Sequence, residues 1–221
     1  MINLNNRFNT IVFDLDGPLL DGKHRHYRCY ADILKEQEFI PVDIDSYWLM
    51  KKARIDRHKL LERSSADTIY NFFLQEWLDR IETRPYLQLD FLQPGVLEIL
   101  TSLQKSGIRL ILATMRNNKD ALLWQLESLK LKSFFSEIII IGSLGENKNK
   151  AADVAKIIEN HDYNKTLWIG DTEVDIYSAR ELGVKICALS CGLRTKEYLL
   201  GLQPDYLHVD LMGFFKQKCL Y

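Results

Sequence analysis

The chain has 221 residues, of which 47% are hydrophobic and 27% charged, with a formal net charge of −1. That length and balance exclude a disordered chain and leave ample apolar surface for a sizeable core. The near-zero charge excludes a protein built on general attraction to nucleic acid or an anionic membrane.

The amino-terminal MINLNNRFNT lacks an apolar signal-peptide region. No apolar run approaches the ~20 residues of a transmembrane helix. The expected compartment is the cytoplasm, with neither nucleic acid nor membrane as partner, and no pattern specifies an oligomeric state. Cys29, Cys187, Cys191 and Cys219 have no zinc or disulfide spacing, so reduced thiols are expected.

In chain order, short apolar runs at Thr10–Phe13, Ile108–Ala113, Ile138–Ile141, Leu167–Ile169 and Val184–Leu189 predict buried strands, with Asp205–Val209 as a last short one. Near-continuous runs of this kind fit a parallel sheet covered on both faces. Amphipathic helices alternate with them. Pro94 opens one carrying Val96, Ile99, Leu100 and Leu103 on one face, and Gly107 stops it. Leu122, Leu126 and Leu129 mark the next. Ala151, Val154, Ala155 and Ile158 mark a third, and a fourth runs from Glu173 to Gly183. The alternation predicts an α/β fold with a doubly wound parallel sheet.

Between the first strand and Pro94, about 70 residues break the alternation. Helix-like stretches at 24–38, 45–63 and 67–81 predict an inserted α-helical subdomain. The expected division is a core of residues 1–21 and 92–221 with an insertion over 22–91.

Ligands of open α/β sheets bind beyond the carboxyl ends of the strands. Asp14, Asp16 and Gly17 follow the first predicted strand. Thr114, Arg116, Asn117 and Asn118 follow the second. Gly142 and Ser143 follow the third, with Lys148 and Lys150 opening the next helix. Gly170, Asp171 and Thr172 follow the fourth, with Asp175 one helical turn beyond Asp171. Clustered carboxylates repel one another unless a cation neutralises them. Mg²⁺ suits oxygen ligands and commonly bridges carboxylate and phosphate. A lysine and a hydroxyl supply further phosphate contacts, and one carboxylate can attack phosphorus.

The run Asp14-Leu15-Asp16-Gly17-Pro18-Leu19 resembles the first motif of the haloacid dehalogenase-like superfamily. Thr114 resembles the second motif, Lys150 or alternatively Lys148 the third, and Gly170-Asp171-Thr172-Glu173-Val174-Asp175 the fourth. The order holds across roughly residues 10–190, and agreement of four motifs makes it specific. The resemblance implies a Rossmann-like core, an aspartyl phosphate on Asp14, and Asp16 as general acid and then base. It implies phosphate contacts from the backbone of Leu15 and Asp16 and from Thr114 and Lys150. It also implies Mg²⁺ held by Asp14, the Asp16 carbonyl and Asp171, with Asp175 in or beside the coordination shell. Asp16 points to oxygen leaving groups, because a halide needs no proton.

Position 18 is Pro where the family usually has Thr, which is expected to change loop stiffness rather than chemistry. The insertion resembles the helical cap of the phosphoglycolate phosphatase and β-phosphoglucomutase-like branch, which implies a small phosphorylated metabolite as substrate. Arg116 is a further candidate for substrate phosphate, and Lys51, Lys52, Arg25 and Arg28 are candidates for anion contacts from the insertion. Tyr47 and Trp48 are expected to pack. A phosphatase is the leading expectation. A phosphomutase on the same fold and a non-catalytic phospho-ligand-binding module are the alternatives.

Overall fold

The computed structural model describes residues 7–141, 149–158 and 163–218. Gly142, Ser143 and Lys148 lie outside them. Strand β1 (Thr10–Phe13) opens the chain's regular structure, followed by β2 (Leu20–Asp21). Helices α1 (Lys23–Glu36), α2 (Ile44–Lys52), α3 (Arg57–Glu62), α4 (Tyr70–Arg80) and α5 (Arg84–Leu87) come next, and β3 (Phe91–Leu92) ends that segment. The alternation then resumes with α6 (Val96–Lys105), β4 (Arg109–Thr114), α7 (Lys119–Ser128) and β5 (Glu137–Ile140). It continues with α8 (Ala151–Ile158), β6 (Thr166–Gly170), α9 (Glu173–Leu182) and β7 (Lys185–Leu189), and finishes with α10 (Lys196–Gly201), β8 (Tyr206–His208) and α11 (Leu211–Lys218).

Six strands form one sheet in the order β5-β4-β1-β6-β7-β8, and every pairing is parallel. Both faces are covered, as the apolar runs require. On one face Phe13, Leu110, Leu112 and Ile169 pack with Leu100 of α6, Leu126 of α7 and Phe214 of α11. On the other, Val12, Ile111 and Trp168 pack with Val154 of α8, Ile176 of α9 and Leu199 of α10. The chain fills β1, β4 and β5 outward on one side, then crosses back to lay β6, β7 and β8 on the other. β1 is therefore the point where the winding reverses, and ligand crevices open at the carboxyl ends of strands at such a point.

The helices α1 to α4 close a separate cluster of Cys29, Tyr30, Ile33, Leu34, Tyr47, Leu61, Phe73 and Trp77. Tyr30 and Tyr47 stack with ring centroids 4.7 Å apart, and Trp48 packs against the cluster's edge. The stretch expected to be helical over 45–63 breaks between α2 and α3, where Arg54 is left-handed at φ 57 and Asp56 caps α3 through the His58 amide. The first turn of the next stretch is a 3₁₀ helix, Asp67–Ile69. Sequence patterning predicts no strand in this region, yet β2 and β3 pair antiparallel across the two ends of the helical segment. Two residues per strand are too few to show a period. Among the described residues, no helix is long and apolar enough to cross a membrane.

Candidate active site

The register of the sheet brings the predicted residues to one level. Asp14 directly follows β1, and its amide donates to the Ile169 carbonyl at 2.9 Å. Thr114 ends β4, and Asp171 directly follows β6. Lys150 sits just before α8, and its side chain is buried. Its Nζ lies 2.8 Å from Asp14 Oδ1 and 2.8 Å from Asp175 Oδ1, and it donates to the Ala113 carbonyl at 3.0 Å. One ammonium thus ties the ends of β1, β4 and α9 together.

Asp14, Asp171 and Asp175 each offer an oxygen within 4.8 Å of the others. Asp171 is fully buried, and its Oδ1 has no hydrogen-bond partner. Its Oδ2 accepts from the Leu193 amide at 2.5 Å. Burial, then the neighbouring carboxylates Asp14 and Asp175, push Asp171 well above the usual carboxylate range. Burial likewise raises Asp14 to about 7, against the pull of Lys150. A buried oxygen with an unused lone pair, beside two carboxyls that desolvation raises, is a set of donors that a bound cation would satisfy. The donor set fits a hard divalent ion. Asp175 is more heavily engaged: besides Lys150 it accepts from Thr172 Oγ1 at 2.9 Å, from the Thr172 amide at 3.2 Å and from Trp168 Nε1 at 3.3 Å. It fits beside such an ion better than as its main ligand. Gly17, at φ 101, and Gly192 pinch the Asp171 carboxyl so closely that a Cβ on either would overlap it.

Asp16 faces a different environment. Arg116 grips it through Nε to Oδ2 at 2.6 Å and through the guanidinium to Oδ1 at 2.8 Å, and Arg25 reaches Oδ1 at 2.5 Å. Burial alone would raise this carboxyl, but the two guanidinium groups hold it well below the usual range. Arg25 also donates to Asp90 at 2.8 Å, and Gln125 donates to Asp90 at 2.8 Å. Arg25 lies in α1 and Asp90 just before β3, so the ion cluster joins both ends of the helical segment to the loop after β1. Sequence reasoning offered Arg116 to a phosphate. The structure gives it Asp16 as a protein partner.

Leu15 is buried, and its carbonyl accepts from the amides of Leu19 and Leu20. Gly17 donates to the Leu20 carbonyl at 2.8 Å. The turn is closed by these amides, so the N–H that Pro18 lacks is not among its donors.

Asp14, Asp16, Thr114, Arg116 and Lys150 line one open crevice. Its other walls include Arg25, His26, Arg57, Trp77, Glu82 and Arg194. Asp90, Gln125, Trp77, Glu82 and Arg194 were not singled out from the sequence. Arg194 had a signal, since Ser190 to Arg194 follow the end of β7. The others have none, because each comes from a helix or helix end that folds over the sheet.

A family model described as haloacid dehalogenase-like hydrolase matches residues 11–189. A phosphoglycolate phosphatase of Mesorhizobium japonicum is 25% identical over 217 residues, covering 91% of this chain and 92% of its own. A pyrophosphatase of Bacillus mycoides is 26% identical, with 91% and 92% covered. Among solved structures, a haloacid dehalogenase-like family protein of Streptococcus pneumoniae superposes with a TM-score of 0.74 at 22% identity, covering 95% of this chain and 98% of the other. A predicted phosphatase of Clostridium acetobutylicum gives 0.74 at 19% identity, covering 97% and 100%. These structural likenesses concern the fold.

Proposed function

The chain belongs to the haloacid dehalogenase-like hydrolases, and we propose that it is a Mg²⁺-dependent phosphatase of a small phosphorylated metabolite, acting through an aspartyl phosphate on Asp14. The observation that carries this reading is the convergence of Asp14, Thr114, Lys150 and the under-bonded Asp171 at the end of the central strand. Relatives described as phosphoglycolate phosphatases and pyrophosphatases support the same reaction class.

In this mechanism the Asp14 carboxylate attacks phosphorus while Lys150, Thr114 and the amides after Asp14 hold the phosphoryl oxygens. Asp14, the Asp16 carbonyl and Asp171 would hold the cation, which offsets charge on the transferring group. Asp16 gives a proton to the leaving oxygen, then takes one from the water that cleaves the aspartyl phosphate. The environments described above push the two carboxyls the opposite way, with Asp14 raised and Asp16 depressed. Both directions reverse when ligands arrive. A cation beside Asp14 favours its ionised form. An anionic phosphoryl competes for Arg116 and Arg25 and so releases Asp16 to hold a proton. That competition gives Arg116 its part in phosphate binding. The helical segment over residues 22–91 is read as a cap on a core of residues 1–21 and 92–221, with Lys52 Nζ of the segment donating to the Ser190 carbonyl of the core at 2.8 Å. Its closure excludes water.

Phosphate release from a panel of sugar phosphates, nucleotides and short phosphorylated acids, with Mg²⁺ or a chelator, tests the reading. The expected result is release from a few small compounds that stops when the metal is removed. Release indifferent to chelation, or turnover that isomerises a substrate without free phosphate, would overturn it.

The raised Asp14 also fixes a sign. Its carboxyl titrates near 7 in the folded chain against an ordinary 3.8. Its proton-linked stability is therefore present below the ordinary value and is lost as pH rises through about 7. Cation binding needs the deprotonated form, so stabilisation by Mg²⁺ should grow across that window. Thermal midpoints with and without Mg²⁺ should differ little near pH 5 and diverge toward about pH 8. A gap that is flat with pH would contradict the assignment of Asp14 as a ligand.

A further inference from the structure

The floor of the crevice is made of strand ends, and its roof comes from the helical segment between β2 and β3. Where the two meet, four charged side chains alternate in a closed ring. Arg25 donates through Nε to Asp90 at 2.8 Å and through the far end of its guanidinium to Asp16 at 2.5 Å. Arg116 holds Asp16 at 2.6 and 2.8 Å and reaches Asp90 at 3.4 Å. The two carboxylates in this ring are placed unequally. Asp16 lines the crevice with its side chain 21% exposed, whereas the Asp90 side chain is 0% exposed and does not line it. Gln125 of α7 fixes Asp90 from the core, donating to its Oδ2 at 2.8 Å and to the Leu87 carbonyl at 3.0 Å.

Stability alone does not account for such a ring, because a buried ionic cluster is often no more stable than apolar side chains of the same volume. Its physical yield is orientation. A guanidinium is a rigid planar fork, and one held at two points cannot turn about its stem. Asp90 takes the ends of both forks that Asp16 leaves free. A phosphoryl group that draws on the arginines therefore meets them already anchored. Given the acid role of Asp16 in the phosphatase reading, on which this step rests, we propose that Asp90 is a positioning residue. Through Arg25 and Arg116 it sets where the Asp16 carboxyl stands when a proton passes to the leaving oxygen. Gln125 serves the same end by fixing Asp90.

An alkyl and an acyl phosphate separate positioning from folding. When Asp14 attacks glycerol 3-phosphate, the P–O bond breaks and the glycerol oxygen takes the Asp16 proton. Acetyl phosphate loses acetate, which leaves as the anion and needs no proton. In the full chain with Mg²⁺, Asp90→Asn should lower kcat/KM about tenfold or more for glycerol 3-phosphate, and about threefold or less for acetyl phosphate. Gln125→Met frees Asp90 without removing a charge. It should show the same selectivity in smaller measure, and it carries the test if Asp90→Asn does not fold. A second arm needs no turnover. Urea unfolding of Asp90→Asn, Asp16→Asn and the double variant should be non-additive by about fivefold or more in the folded-to-unfolded ratio, because the two carboxylates share their arginines. Equal losses on both compounds in a variant that folds, or additive unfolding, overturns the positioning role even if the parent releases phosphate. Non-additive unfolding with no phosphate released from any compound sustains the hold of Asp90 on Asp16 and sinks the phosphatase reading instead.

Discussion

Asp14→Asn is expected to reduce phosphate release by about 10⁴-fold or more while leaving the chain folded. The substitution removes one oxygen's nucleophilicity and almost no volume. An amide oxygen can still accept from Lys150, so the bond now 2.8 Å long persists. The fold also loses a carboxyl that burial holds near 7 among Asp171 and Asp175. Without added metal, the variant's thermal midpoint should therefore equal or exceed the parent's at neutral pH, where the parent's carboxyl is costly to ionise. With Mg²⁺ the order should reverse, because one ligand charge is missing. A second readout separates covalent from water-mediated chemistry. Acid quench of the parent during turnover, followed by mass spectrometry, should find one phosphoryl group on the peptide containing Asp14, and the variant should show none. Retained turnover in Asp14→Asn would remove the aspartyl phosphate from the mechanism.

The floor of this site is legible in sequence because each of its residues is fixed by local pattern. Asp14, Thr114 and Asp171 each follow or end an apolar run whose both-sided burial marks a central parallel strand. The amphipathic repeat of α8 narrows the lysine to Lys150, which it follows, with Lys148 as the alternative. A strand end and a helix start are local events, and a parallel α/β sheet gathers them on one side. The roof is not legible for the opposite reason. Arg25 meets Asp90 across 65 positions, and Arg116 meets Asp16 across 100. Nothing near either partner in sequence reports the other. The basic run around Lys51 reads more readily as a solvated helix face, and the break at Arg54 precedes the helix that sets Arg57 over Trp77. The same fold-back explains why Asp16 and Asp14, two residues apart, experience opposite fields. Asp14 looks down into the carboxylates of the sheet, and Asp16 looks up into the guanidinium groups at the ends of the helical segment.

Lys150→Met should destabilise the chain as severely as any single substitution in the site. The side chain is 2% exposed, and its ammonium serves Asp14, Asp175 and the Ala113 carbonyl together. Met fills the space without the charge, leaving two buried carboxyls and a carbonyl short of a donor. Removing one partner of a buried ion pair costs roughly 3–5 kcal/mol. For a chain of this size that corresponds to a fall of about 6–20 °C in thermal midpoint. The loss depends on conditions in a direction set by the same groups. Near pH 5 Asp14 is protonated, since it titrates at about 7 even with Lys150 present, so less charge is stranded and the deficit should shrink. Saturating Mg²⁺ should shrink it too, by supplying the positive charge that the lysine took away. Activity should still fall at least about 10²-fold with metal present, because a contact to the transferring oxygens is gone. Midpoints measured for parent and variant at two pH values, with and without Mg²⁺, separate these effects. A deficit that persists undiminished at low pH and high Mg²⁺ would mean that Lys150 serves packing. A deficit that closes under both would identify it as the counter-charge on which the carboxylate floor is built.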